Sequence, residues 1–171
     1  MIPIILYGND KDLSINSAVQ RILKDGRAYG KMEDCCVFDY NECDMSSFEN
    51  TKGIFVFKSN LQFQDNIIIP SGFLAILPSY SCNAASILKN INVFAVTCGT
   101  SSRDTISLSS LNNLRAVISL QRNVRSVDGE LILPHEIVVD LNEQIAIYPL
   151  LASIAVLVLC NSSEANCVYK I

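Results

Sequence analysis

Ile2-Pro3-Ile4-Ile5-Leu6-Tyr7-Gly8-Asn9-Asp10 is the stretch that decides the fold. A near-continuous apolar run closed by a Gly-Asn-Asp turn reads as a buried strand that ends abruptly. The period then changes. Ile15, Val19, Ile22 and Leu23 fall at helical spacing, with Asp12 or Ser14 placed to cap the helix and Gly26 to stop it. A buried strand that leads into a helix is the unit from which helix-covered parallel sheets are built.

The strand signal recurs along the chain. Cys35 to Tyr40 reads as a second strand, Gly53 to Lys58 as a third, and Phe73 to Leu77 as a fourth closed by Pro78-Ser79. Asn83 is placed to cap a short helix through Leu88, and Val93 to Thr97 reads as a fifth strand, closed by Cys98-Gly99-Thr100. The rhythm then shifts to a meander. Thr105 to Leu108 alternates, Ala116 to Leu120 is mostly apolar, and Asp128-Gly129 is a hairpin turn ahead of Leu131–Leu133 and Ile137–Val139. Pro134 marks an edge or a break between those two runs. The chain closes with a helix over Pro149–Cys160, with the proline in its first turn. The expected architecture is α/β in three layers: a mostly parallel sheet, an antiparallel C-terminal extension and a buried C-terminal helix. No linker or repeat divides it, so residues 1–171 are expected to form a single domain.

Composition narrows the class. With 171 residues, 50% of them apolar, 18% charged and a net charge of −4, the chain is well suited to burying a core and ill suited to disorder. A sequence pI near 4.9 argues against nucleic acid as a partner. The longest apolar run, Ile145 to Cys160, makes a helix of about 24 Å, short of the roughly 30 Å hydrocarbon core, so no membrane partner is expected. Seven cysteines, an odd number with no Cys-x-x-Cys and no signal peptide, point to a reducing, cytoplasmic setting. Asn161-Ser162-Ser163 matches a glycosylation acceptor, but no secretory signal accompanies it.

Charge is segregated. Residues 33–49 hold Glu33, Asp34, Asp39, Glu42, Asp44 and Glu49 without a Lys or Arg, which reads as a solvated face. Residues 103–125 hold Arg103, Arg115, Arg122 and Arg125 against Asp104 alone, and an anion site is the sharper reading there.

Most catalytic signatures are missing. Gly-x-x-x-x-Gly-Lys-Ser/Thr and Gly-x-Gly-x-x-Gly are both absent, and in the one Gly-Lys pair, Gly30-Lys31, the next residue is Met32. The usual backbone cradle for a nucleotide is therefore lacking, and no cofactor is expected. The single histidine, His135, has no cysteine partners at zinc spacing, and Cys35, Cys36 and Cys43 fit no zinc module, so no metal is expected. Cys35 and Cys36 are expected on opposite faces of a strand as small apolar residues.

One loop stands out: Cys98-Gly99-Thr100-Ser101-Ser102-Arg103-Asp104, directly after a buried strand. Gly99 permits a tight turn, the hydroxyls and amides are donors, and Arg103 supplies charge, with Arg122 or Arg125 able to join. Cys98, Gly99, Thr100, Ser101, Ser102 and Arg103 are the candidate ligand-binding residues. A cysteine-phosphatase signature, Cys-x5-Arg, would need arginine at position 104, where Asp104 stands, and Asp104 is expected to pair with Arg103.

From about Phe73 to Leu159 the order of elements resembles the second half of the central domain of Mur ligases. The resemblance is carried by Phe73-Leu74-Ala75-Ile76-Leu77-Pro78-Ser79, the Asn83–Leu88 helix, Val96-Thr97-Cys98-Gly99, and the final helix with Leu150-Leu151-Ala152-Ser153-Ile154-Ala155-Val156. The ATP loop that defines the family has no counterpart, and Asn142-Glu143-Gln144 replaces the family's His-Asn entry to the last helix. The resemblance thus implies a relative that kept the fold and lost ATP-dependent amide ligation, with no catalytic residue to carry over. The functional expectation is a non-enzymatic cytoplasmic binding or assembly protein that works with a protein partner or a second copy of itself. The alternatives are an enzyme for a small-molecule or phosphate ligand, using the Cys98–Arg103 loop, and an activity shared with a partner chain that supplies the nucleotide loop.

Overall fold

The computed structural model describes residues 1–28, 32, 34–61, 67–160 and 168–171. Its elements run β1 (Ile2–Tyr7), α1 (Ser14–Ala28), β2 (Cys35–Asp39), β3 (Gly53–Phe57), β4 (Phe73–Pro78), α2 (Cys82–Leu88) and β5 (Phe94–Gly99). Then come β6 (Ile106–Leu111), β7 (Arg115–Leu120), β8 (Val124–Arg125), β9 (Leu131–Ile132), β10 (Glu136–Asp140), α3 (Ile147–Leu159) and β11 (Val168–Lys170). Two 3-10 turns, Tyr40–Glu42 and Met45–Phe48, link β2 to β3.

Among the described residues nine strands form one sheet in the order β11-β10-β7-β6-β5-β4-β3-β1-β2. From β2 to β6 every pairing is parallel. β7 runs antiparallel to both β6 and β10, and β11 is again parallel to β10. The antiparallel C-terminal part thus comprises β7 within the sheet and the separate β8–β9 hairpin, whose turn holds Gly129 at φ +95°. The fold class is α/β, as the alternation of strands and helices implies. β1, β3 and β4 are buried nearly throughout, while β7 and β10 alternate, as strands covered on one face do.

Side chains sort by parity along the strands. Ile4, Leu6, Ile54, Val56, Ile76, Val96 and Cys98 belong to the core shared with α1 and α3. Ile5, Tyr7, Phe55, Phe57, Phe73, Ala75 and Leu77 form the opposite core, with Met45, Ala84 and the partly buried Tyr40 and Phe48 against it. That side is aromatic: Tyr7 meets Tyr40 edge to face at 5.0 Å, and Phe55 meets Phe57 at 5.2 Å.

α3 is the centre of the molecule. Every residue from Tyr148 to Leu159 is buried, because the sheet covers one side and α1 the other. Both outer strands, β2 and β11, also touch α1, so the sheet curls around α3. This accounts for a helix that is apolar on all sides. Among the described residues no helix is long and apolar enough to cross a membrane.

Several local expectations are corrected. α1 runs past Gly26, which serves packing instead: a Cβ there would collide with the Met32 side chain. Ser81 caps α2, accepting from the Ala84 amide at 3.2 Å, while Asn83 Nδ2 donates to the Leu61 carbonyl. α3 begins two residues before Pro149, which still falls in the first turn, where no amide is needed. The Asn161–Ser163 acceptor lies outside the described residues.

Candidate functional site

Parallel strands deliver their C-terminal ends to one edge of the sheet, and open α/β sheets bind ligands there. A pocket of about 540 Å³ opens at that edge. Ser59 follows β3, Ser79 and Tyr80 follow β4, and Cys98 and Gly99 end β5 with Thr100 just after it; Ala146 to Pro149 and Leu151, from the start of α3, form the other wall. The volume falls within the range of small-molecule sites.

The walls are fixed by short-range chemistry. The Ser79 amide donates to the Cys98 carbonyl at 3.0 Å, continuing the β4–β5 ladder past the strand end. Gly99 is required by closeness: a Cβ would meet the side chains of Ser79 and Asp104. Tyr148 donates its phenol to the Phe57 carbonyl, tying α3 to β3, and its ring meets that of Tyr80 edge to face at 6.4 Å.

The candidate loop divides here. Cys98, Gly99 and Thr100 line the pocket, whereas Ser101, Ser102 and Arg103 are exposed and form no part of its wall. Asp104 does not pair with Arg103. Its buried carboxylate accepts from the Ser101 amide at 3.0 Å, closing the loop on itself, and the Arg103 carbonyl accepts from Arg122 Nη2 at 2.7 Å. Arg122 thus joins the candidate loop, as the sequence allowed, but through the Arg103 backbone carbonyl. Arg115 and Arg125 are engaged elsewhere: Arg115 pairs with Asp140 at 2.7 Å, and Arg125 donates to the Gly129 carbonyl.

Neither Cys98 nor Tyr148 is poised for chemistry. Burial first, and the Asp104 carboxylate second, push the Cys98 thiol far up, so it stays protonated. Burial likewise holds the Tyr148 phenol protonated. Among the described residues no group of three His, Cys, Asp or Glu side chains stands ready for a metal. His135 turns back on its own segment, Nδ1 lying 2.8 Å from the Leu133 carbonyl.

A second feature at the same edge was not singled out from the sequence. Lys58 is fully buried, with Nζ 2.9 Å from Asp39 Oδ2, while Asp39 Oδ1 is buried without a partner among the described residues. The available signal was a lysine closing the apolar run Gly53–Phe57. Beside it, the loop after β1 carries Asp10 and Asp12. Asp12 Oδ1 accepts from the Ser14 amide at 3.2 Å, and Asp10 Oδ1 accepts from Asn41 Nδ2 at 2.8 Å. Carboxylates therefore occupy the place at the start of α1 where a polyphosphate would need donors.

Fold and site together define an open α/β protein with a pocket at the carboxyl edge of its parallel strands that, among the described residues, no charged side chain lines. No protein-family model matches the chain, and no curated protein matches it.

Proposed function

We propose that this chain is a non-enzymatic binding protein for a small molecule, built on a Mur-ligase-like α/β core without the ATP loop. The observation that carries the reading is the wall of the 540 Å³ pocket: hydroxyls and apolar side chains, with its one thiol and its buried phenol held protonated. Such a wall can bind and orient, but it offers no group to attack a substrate or exchange a proton near neutral pH. A binder without chemistry acts through what it contacts, so the reading includes a protein partner or a second copy of the chain in the cytoplasm.

The test is thermal denaturation with panels of neutral small molecules and nucleotides, alongside an ATPase assay and calorimetry with ATP. A ligand present at 100 times its dissociation constant adds about 2.7 kcal/mol of stability. The expected result is a shift with a neutral compound and neither hydrolysis nor binding of ATP. Turnover, or micromolar ATP binding, overturns the reading.

A further inference from the structure

The pocket has a neighbour. A smaller concavity of about 280 Å³ lies beside it, and Ser59 and Tyr80 line both. Tyr80 is the divider. It lies between Ser79, at the end of β4, and Ser81, the cap of α2, and it is 65% exposed although its ring edge-packs on Tyr148. An exposed aromatic between two concavities offers a stacking surface at little ordering cost, since Tyr148 is already held by its bond to Phe57.

The two concavities differ in chemistry. The larger is mostly apolar, walled by Ile147, Pro149 and Leu151. The smaller carries Asn60, Ser81 and Asn83. Asn83 spends Nδ2 on the Leu61 carbonyl, which fixes its Oδ1 as the acceptor. Ser81 Oγ accepts from Ala84, which leaves its own proton to donate. Among the described residues no Lys, Arg, His, Asp or Glu lines either concavity, and the lysine next to Ser59 is committed to Asp39. A charged group seated here would lose water and gain no counter-ion.

We propose that the paired concavities take an uncharged ligand of two halves, a planar aromatic ring against Tyr80 in the larger and a hydroxylated tail in the smaller. That is the chemistry of an aryl glycoside or a nucleoside, without phosphate. The inference rests on the binding reading above and names its ligand class.

The test uses the full chain, with binding of 4-nitrophenyl β-glucoside and adenosine followed by ligand-observed NMR and calorimetry. Phenol, glucose and adenosine monophosphate serve as part-ligand and charged comparisons. At least one two-part probe is expected to bind tenfold or more tighter than phenol and glucose, and adenosine tighter than its monophosphate. Tyr80→Ala should weaken the two-part probes at least tenfold and Tyr80→Phe should not. Asn60→Ala should weaken them but leave phenol unchanged. Both positions are exposed, so an unchanged Tm will show that the variants fold. Preference for adenosine assigns the nucleoside source, and preference for the glucoside assigns the glycoside. Tyr80-dependent binding of phenol that equals that of both two-part probes overturns the two-half ligand but leaves the binding reading standing. Tighter binding of the monophosphate, or indifference to Tyr80→Ala, overturns the inference. If no probe of any kind binds, the binding reading falls with it.

Discussion

Lys58 Nζ lies 2.9 Å from Asp39 Oδ2 although β1 runs between them, and Gly8 at the end of β1 is what makes the crossing possible. The Lys58 amide donates to the Tyr7 carbonyl, which sets Gly8 against the lysine; a Cβ on Gly8 would stand 2.7 Å from Lys58 Cβ. Lys58 itself is fully buried. A buried pair is costly to break from one side, since the remaining charge stays desolvated. Lys58→Met should therefore cost about 3 kcal/mol, the low end for such pairs, because Asp39 retains 19% exposure. The double variant Lys58→Met/Asp39→Leu should recover most of that loss. Urea denaturation of the two variants checks both values, and equal stabilities would show that the pair is not coupled.

Two glycines with positive φ separate clash from backbone strain. Gly8 has φ +146° and a crowded Cβ position, while Gly129 has φ +95° and nothing within 4 Å. Gly129→Ala should cost about 1 kcal/mol from backbone conformation alone, and Gly8→Ala clearly more. The measurement is the difference in denaturation midpoints, and a Gly129 variant as damaged as the Gly8 variant would refute the ranking.

The legible parts of the sequence were those whose signals are local. β1 was readable to the residue because its apolar run and its Gly-Asn-Asp stop coincide, and the Asp128-Gly129 hairpin because the turn demands that residue pair. Gly26 was misread as a stop because its partner, Met32, approaches from outside the helix. β11 was missed because Val168–Lys170 is too short to show a period and is held by β10, almost thirty residues away. In the candidate loop, the strand-end position of Cys98–Thr100 followed from Val93–Thr97, but the fate of Asp104 did not. A carboxylate beside an arginine reads as an ion pair, and only the turn geometry shows that the Ser101 amide claims it. Lys58 and Asp39 were opaque for the same reason, since their pairing spans a third strand.

The position of α3 makes its apolar residues intolerant on every side. Leu151 is fully buried and also reaches the pocket wall, while Leu157 packs near Gly26 of α1. Leu151→Asp places an unpaired carboxylate in the core and should abolish soluble expression. Leu157→Ala should fold with a loss of about 2–5 kcal/mol. Normal folding of the aspartate variant, judged by circular dichroism and gel filtration, would contradict a helix enclosed by sheet and α1.

Cys98 provides the sharpest distinction between a binding wall and a reactive one. It is fully buried, and burial together with Asp104 holds the thiol well above the usual range, whereas Cys82 at the start of α2 is exposed. At pH 8, an aromatic disulfide reagent should modify Cys82 in the native protein and leave Cys98 untouched until urea is added. The sign of the pH effect follows from the same shift. An unfolded cysteine thiol ionises near 9.0, while the folded one keeps its proton, so the unfolded chain releases a proton that the folded chain does not. Stability conferred by Cys98 is therefore complete below pH 9 and declines as the pH rises above it. Cys98→Ala should remove that part of the alkaline decline. Urea midpoints at pH 7.5 and pH 10, for wild type and variant, measure it. Rapid native-state modification of Cys98, or an alkaline decline identical in Cys98→Ala, would mean that the thiol is accessible or ionised and would return it to the candidates for chemistry.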